Sequence, residues 1–242
     1  MSKALPIAPL ETHEFFAGYP AIWQQMKPGV RTCTMHKGDT VLHHGDAAQT
    51  LWLVHHGWVK LVRQTPDGKE TVAGLCTHGD MFGEAALFPH ASYPYTAEAL
   101  EDGTELYAIP ADSLRHVLKT NAGFSTTMMA MLNRRIAQTQ LKLEHMSTMS
   151  ATQRLGCFLL GLCREPSASD TTLQIPVEKH ILASYLGMKP ETLSRSQQQM
   201  KTIGVDVKGF TVNVSSIARL REFVCSSCSE SGNCEADLLG DK

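Results

Sequence analysis

Glu191, Ser194 and Arg195 fall within the short stretch KPETLSRSQQQM, with Lys189 just before them and Thr192 between. On a helix, residues three and four apart share a side, so these three side chains would project together. An arginine there offers the planar fork that fits the O6 and N7 acceptors of guanine. A glutamate can accept from the N4 amino group of cytosine, and a serine can donate to a base or a phosphate. The blander reading is a solvated i,i+4 salt bridge between Glu191 and Arg195, worth a few tenths of a kcal/mol. As a pair facing bases, each would instead hold the other's rotamer.

A second constellation lies further on, in CSSCSESGNC. Cys225, Cys228 and Cys234 are soft ligands with two and then five residues between them, and Ser and Gly in the gaps permit tight turning. Such a set can wrap one face of a metal ion or an iron–sulfur cluster. Zinc and a tail of incidental thiols are the alternatives. The other four cysteines, Cys33, Cys76, Cys157 and Cys163, sit in apolar or strand-like surroundings and read as small buried hydrophobes.

The elements that must position these groups divide the chain in three. From about Arg31 to Pro110, turns such as HKGD, HHGD, TPDGKE, THGD and EDGT punctuate short runs rich in Val, Leu, Trp and Thr. That spacing argues for a β-roll or jelly roll, and TPDGKE is a strong hairpin signal. After Pro110 the period changes. ADSLRHVLKTN reads as a short helix opened by Asp112. From Ser125 to Ser150 a narrow stripe of Met129, Leu132, Ile136, Thr139, Leu143 and Met146 steps alternately by three and four. A long helix with so thin a seam is expected to pair with another helix. SATQRLGCFLLGLC begins a further helix capped by Ser150, and REPSASDTTLQ reads as a polar connection. Next come a helix over 178–186, a turn at Gly187 and a second helix with Pro190 in its first turn, where a missing N–H costs nothing. VKGFTVNV makes a two-stranded wing turning at Lys208-Gly209, followed by a terminal helix. Helix, glycine turn, helix and wing together are a winged helix-turn-helix.

With 242 residues, 43% hydrophobic and 19% charged, the chain can bury real cores. A net charge of −2 rules out a protein that is basic throughout. Between Pro176 and Cys225, however, seven Lys and Arg face four acids, so the opening motif lies in a basic portion. No apolar run is long enough to span a bilayer and the N-terminus lacks a signal-peptide pattern, so the expected location is the cytoplasm, without membrane association. No glycine-rich phosphate loop, G-x-S-x-G or H-E-x-x-H is present, so no catalytic activity is expected.

KPETLSR after LASYLGM resembles the recognition helix of the CRP/FNR family of bacterial transcription regulators, in the E-x-x-S-R form of its FNR branch. KGDTVLHHGD, LWLVHHGWVKLVRQTPDGKE, GDMFGEAALF and YTAEAL follow that family's cyclic-nucleotide-binding β-roll, in order and at the right spacing. The resemblance implies an α+β architecture: a β-roll sensor over 1–120, a dimerisation helix over 121–149, a winged helix-turn-helix over 150–224 and a cysteine tail over 225–242. It further implies a homodimer on double-stranded DNA, a palindrome of TTGAT-like half-sites about one helical turn apart, and RNA polymerase as a further partner. Two departures stand out. Gln197 replaces a buried Leu usual on the recognition helix, and Asp206 replaces an Ile or Leu before the wing.

For the effector, the nucleotide-binding members use the glutamate of a G-E motif and the arginine of R-[ST]-A. Here Glu84 is present, but Tyr95 precedes Thr96-Ala97. A tyrosine hydroxyl cannot replace a guanidinium opposite a phosphate, so a cyclic nucleotide is the least expected signal. Some members of the family carry cluster cysteines at the C-terminal end. By that resemblance Cys225, Cys228 and Cys234 would hold a [4Fe–4S] cluster, with Glu144 or His145 as fourth ligand. Oxygen, redox state or nitric oxide would then be the signal. Haem is the alternative cofactor, with the pairs His43-His44 and His55-His56 among its candidate ligands.

Overall fold

The computed structural model describes residues 10–13, 15–163 and 170–226. They form two compact units, one ending at Arg135 and the other beginning at Ile136.

The first unit opens with α1 (Pro20–Met26), a short helix carrying proline in its first turn. Eight strands follow: β1 (Arg31–Met35), β2 (Thr40–Leu42), β3 (Thr50–His56), β4 (Val59–Gln64), β5 (Glu70–Cys76), β6 (Met81–Phe82), β7 (Thr96–Ala99) and β8 (Thr104–Pro110). They make two antiparallel sheets, ordered β1-β8-β3-β6 and β2-β7-β4-β5, which is the expected roll. TPDGKE is indeed the β4–β5 hairpin loop. The Thr65 N–H and hydroxyl both donate to the Lys69 carbonyl to close it, and Gly68 takes the left-handed conformation (φ +82°) that the turn requires. One core lies between the sheets, around Val54, Val59, Leu61, Phe82, Ala97 and Leu106. A second holds the helices to the roll through Leu114 and the aromatic side chains of Phe15, Phe16, Trp23 and Phe124, whose rings meet edge-on and at a tilt.

α2 (Ala111–Thr120) starts at Pro110. Asp112 lies inside its first turn and pairs with Arg115 at 2.7 Å, rather than capping it as the sequence suggested. Asn121 then accepts the backbone N–H of Phe124 at 2.9 Å and starts α3 (Ala122–Thr148). This helix contributes to both units. Near its start Phe124 and Met128 are buried in the first.

In the second unit, α4 (Ala151–Leu162) opens on the full capping box of Ser150 and Gln153. The connection after it is not wholly irregular. Thr171–Gln174 forms a strand, β9, which pairs with the wing, so the wing sheet has three strands and not two. α5 (Lys179–Tyr185) and α6 (Pro190–Met200) are joined through Gly187, whose φ of +64° is the left-handed turn expected there. β10 (Val205–Lys208) and β11 (Thr211–Val214) build the hairpin, and α7 (Ile217–Cys225) closes the unit against α4. Gly156 makes that approach possible: a methyl group there would stand 2.6 Å from Cγ2 of Val224. Of the four cysteines expected to be buried, Cys76 and Cys163 are, whereas Cys33 and Cys157 are half-buried.

Candidate DNA-reading surface and effector pocket

α6 is amphipathic in the way a reading helix must be. Leu193, Ser196 and Met200, spaced three and four apart, are buried against the unit. On the other side Lys189, Glu191 and Arg195 are exposed, and Thr192 and Ser194 are partly so. All five residues singled out from the sequence therefore reach the outer face together. Glu191 and Arg195 do not behave as expected. Among the described residues neither is engaged in an ion pair, so the two do not lock each other's rotamers and both remain open to a partner. Ser194 donates to the Pro190 carbonyl at 2.9 Å, which leaves its oxygen free to accept. Gln197 is half-buried beside the Leu193–Ser196–Met200 seam instead of filling a core position.

The seam on α3 is likewise exposed. Met129, Ile136, Leu143 and Met146 show 61%, 57%, 62% and 43% of their surface, and Thr139 is exposed with them. Leu132 is the exception, packing partly against the core of the first unit. The far end of α3 packs within the second unit. The Lys142 ammonium lies 3.5 Å from the centre of the Tyr185 ring on α5, and the Nδ1 of His145 lies 3.8 Å from Sγ of Cys157 on α4. Burial pulls the His145 imidazole below its ordinary range, despite the neighbouring Glu144.

Glu84 begins a single 3-10 turn after Gly83, and each of its carboxylate oxygens has a protein group beside it. Oε2 accepts from the Tyr95 hydroxyl at 2.9 Å, and Oε1 lies 2.7 Å from Nη1 of Arg135, a residue of α3. The Tyr95 oxygen in turn accepts the Gly83 N–H at 2.7 Å. Burial and the facing Glu84 push the Tyr95 hydroxyl well above the ordinary phenol range, so it stays a donor. Burial works against the charge of Arg135, but Glu84, Cys76, Tyr95 and Asp80 together more than restore it. Thr96 does not join this network; its hydroxyl accepts the His44 N–H at 3.1 Å. Arg135 is the member of this network that the sequence did not reveal. An arginine on the polar part of a helix carries no local sign that it meets a glutamate on a distant turn.

The cysteine tail divides between the two kinds of residue. Cys225 ends α7 and is half-buried, while Cys228 and Cys234 lie outside the described residues. Among the described residues no group of three metal-ligating side chains converges. Of the histidine pairs, His43, His44 and His56 are exposed, whereas the His55 ring stands 5.2 Å from that of Tyr107.

Residues 32–121 match the cyclic nucleotide-binding domain and residues 153–223 the Crp-like helix-turn-helix domain. The cyclic AMP receptor protein of Thermus thermophilus is 30% identical over 187 residues, covering 77% of this chain and 84% of that protein. This chain belongs to the CRP/FNR family of transcription regulators. The global nitrogen regulator of a Nostoc species is 28% identical over 188 residues, covering 74% of this chain and 84% of its own. FixK2 of Bradyrhizobium japonicum shares the fold, with a TM-score of 0.68 over 80% of this chain and 96% of that one, at 23% identity. The family accounts for the pairing of a nucleotide-binding-type roll with a DNA-binding winged helix. No helix among the described residues is long and apolar enough to cross a membrane.

In this CRP/FNR chain the carboxylate of Glu84 already faces two groups of the protein itself, the Tyr95 hydroxyl and the Arg135 guanidinium. Arg135→Ala should therefore lower the melting temperature by several degrees. It strips the ion partner from a carboxylate whose side chain is only 16% exposed, a change worth about 1–3 kcal/mol. Added cyclic AMP should leave the melting temperature of the unaltered protein within about one degree, because bound ligand would otherwise raise it. Scanning calorimetry of both proteins, with and without the nucleotide, checks the pair of results.

Proposed function

We propose that this protein is a homodimeric regulator of the FNR-like branch that reads a palindrome of TTGAT-like half-sites. The observation that carries the reading is the outer face of α6, where Glu191 and Arg195 stand exposed and uncommitted while Leu193, Ser196 and Met200 anchor the helix. Arg195 is assigned to guanine, Glu191 to cytosine N4, and Ser194, Thr192 and Lys189 to phosphates or neighbouring edges. The exposed stripe of Met129, Ile136, Leu143 and Met146 supports pairing with a second copy. Burying it gives a coiled-coil seam, which the isolated chain leaves in water. Two copies related by a two-fold axis place their recognition helices in successive major grooves.

The signal is assigned to the tail. Three thiolates, with Cys225 fixed at the end of α7, are a donor set suited to an iron–sulfur cluster. When bound, such a group supplies sensitivity to oxygen or nitric oxide. The fourth position falls to Glu144 or His145. Of these, His145 is 7% exposed and turned toward Cys157. The protein's own contribution is mechanical. Lys142 on Tyr185 and His145 on Cys157 tie the end of the dimer helix to α5 and α4, so a change at that end shifts the pose of α6.

Protein purified without oxygen should show visible absorbance with matching iron and sulfide, and Cys225→Ser should abolish it. Full absorbance in that variant excludes the tail as the site, and a sharp Soret band would assign the signal to haem.

A further inference from the structure

The wing carries a carboxylate where the family pattern places an aliphatic side chain, and its surroundings give it a role. Thr172, Asn213 and Asp206 are register partners across β9, β11 and β10, so they form one polar row across the sheet. Val205 and Val214, the next pair along, are buried beneath the sheet. The Thr172 hydroxyl donates to Oδ1 of Asn213 at 2.9 Å. At the end of the row, Oδ1 of Asp206 lies 3.2 Å from the Lys201 ammonium and Oδ2 lies 3.1 Å from that of Lys208. Lys201 opens the 3-10 turn directly after α6, and Lys208 is the last residue of β10 before the Gly209 turn. One carboxylate therefore bridges the end of the recognition helix and the tip of the wing. Both lysine side chains are otherwise well exposed, at 60% and 76%. A cleft of about 530 Å³, lined by Asp170, Thr172, Lys201, Asp206, Asn213 and Ser215, opens along the row.

We propose that Asp206 is a positioning residue for DNA recognition: it holds the wing in register with α6 and withholds Lys201 and Lys208 from the phosphate backbone, so that binding depends more on bases than on charge. This rests on the reading of α6 as a groove-reading helix. Two lysines and one carboxylate carry a net charge of +1, and removing the carboxylate raises it to +2. Each lysine that reaches a phosphate releases a condensed counterion and steepens the dependence of log K on log salt by about 0.9. Such phosphate pairs are blind to sequence, so they raise affinity for any duplex and lower the preference for one.

The test is fluorescence anisotropy of the full chain and of Asp206→Asn on a duplex with two inverted TTGAT half-sites and on a scrambled duplex, across a salt series. The expected result is a salt slope steeper by about one to two per subunit in Asp206→Asn, affinity for the scrambled duplex up by roughly tenfold, and a smaller ratio between the two duplexes. Lys208→Ala in the unaltered protein should make the slope shallower by well under about 0.5 per subunit, and in the Asp206→Asn background by about 0.9 per subunit. Slopes and ratios that coincide in the two proteins overturn the proposal. Should Asp206→Asn fail to fold, Lys208→Ala alone decides: a slope shallower by the full ~0.9 per subunit in the parent background also overturns it. A parent protein that ignores both duplexes at low salt sinks the groove-reading helix itself, which is a different failure.

Discussion

Arg195→Ala should reduce affinity for the TTGAT palindrome by about 2–6 kcal/mol in the dimer, since one bidentate arginine–guanine pair is worth roughly 1–3 kcal/mol and each subunit supplies one. Affinity for scrambled DNA should fall far less, because loss of one charge per subunit removes only a phosphate-strength, sequence-blind contribution. The fold should be unaffected. Arg195 is exposed and has no ion pair to lose, so the melting temperature should stay within about two degrees. Glu191→Ala should act on the same bases with a smaller effect, since its removal takes away an acceptor and not a charged fork. Titrations of both variants on the two duplexes separate a base-reading arginine from one that merely adds positive charge. Equal losses on both duplexes would assign Arg195 to the backbone.

Leu143→Glu should convert the protein to a monomer at micromolar concentration and lower operator affinity by at least a hundredfold. Leu143 is 62% exposed and lies a heptad beyond Ile136 on the same stripe, so in a paired helix it faces its own copy. Two glutamates placed there would bring like charges together across a desolvated seam. Losing the second subunit also removes the gain from bivalent binding, on the order of 10²–10⁴. The separate chain should still fold, because little of Leu143 is buried within it. Sedimentation beside anisotropy on full and half operators gives both readings. A Leu143→Glu protein that remains dimeric would place the self-association elsewhere.

The parts of this molecule legible in the sequence are those whose signals are local. Turn residues marked the β-roll because Gly68 and its fellows must take conformations that other residues avoid. Ser150 announced a helix start because a cap is a short-range device, and Gly187 marked the turn before α6 for the same reason. The reading face of α6 followed from residue types and a 3.6 period. Other features depend on partners far along the chain. β9 has four residues with one apolar member, Leu173, and becomes a strand only because β11 offers a free edge. α1 is too short for its period to show, and it is held by the ring cluster of Phe15, Phe16, Trp23 and Phe124. Glu84 was visible, yet its partner Arg135 was not, since an ion pair between a turn and a helix leaves no pattern in either. Glu191 and Arg195 had the right spacing for a mutual salt bridge that the structure does not make. Spacing permits such a pair without requiring it.

The most direct test replaces the single G·C pair in each TTGAT half-site by A·T and measures binding of the unaltered protein and of Arg195→Ala on both operators. If Arg195 reads that guanine, the unaltered protein loses about tenfold or more on the changed operator, while Arg195→Ala loses much less, only the smaller share that Glu191 contributes through the cytosine N4. An unaltered protein indifferent to that base pair, or an Arg195→Ala variant that discriminates as strongly as the unaltered protein, would contradict it.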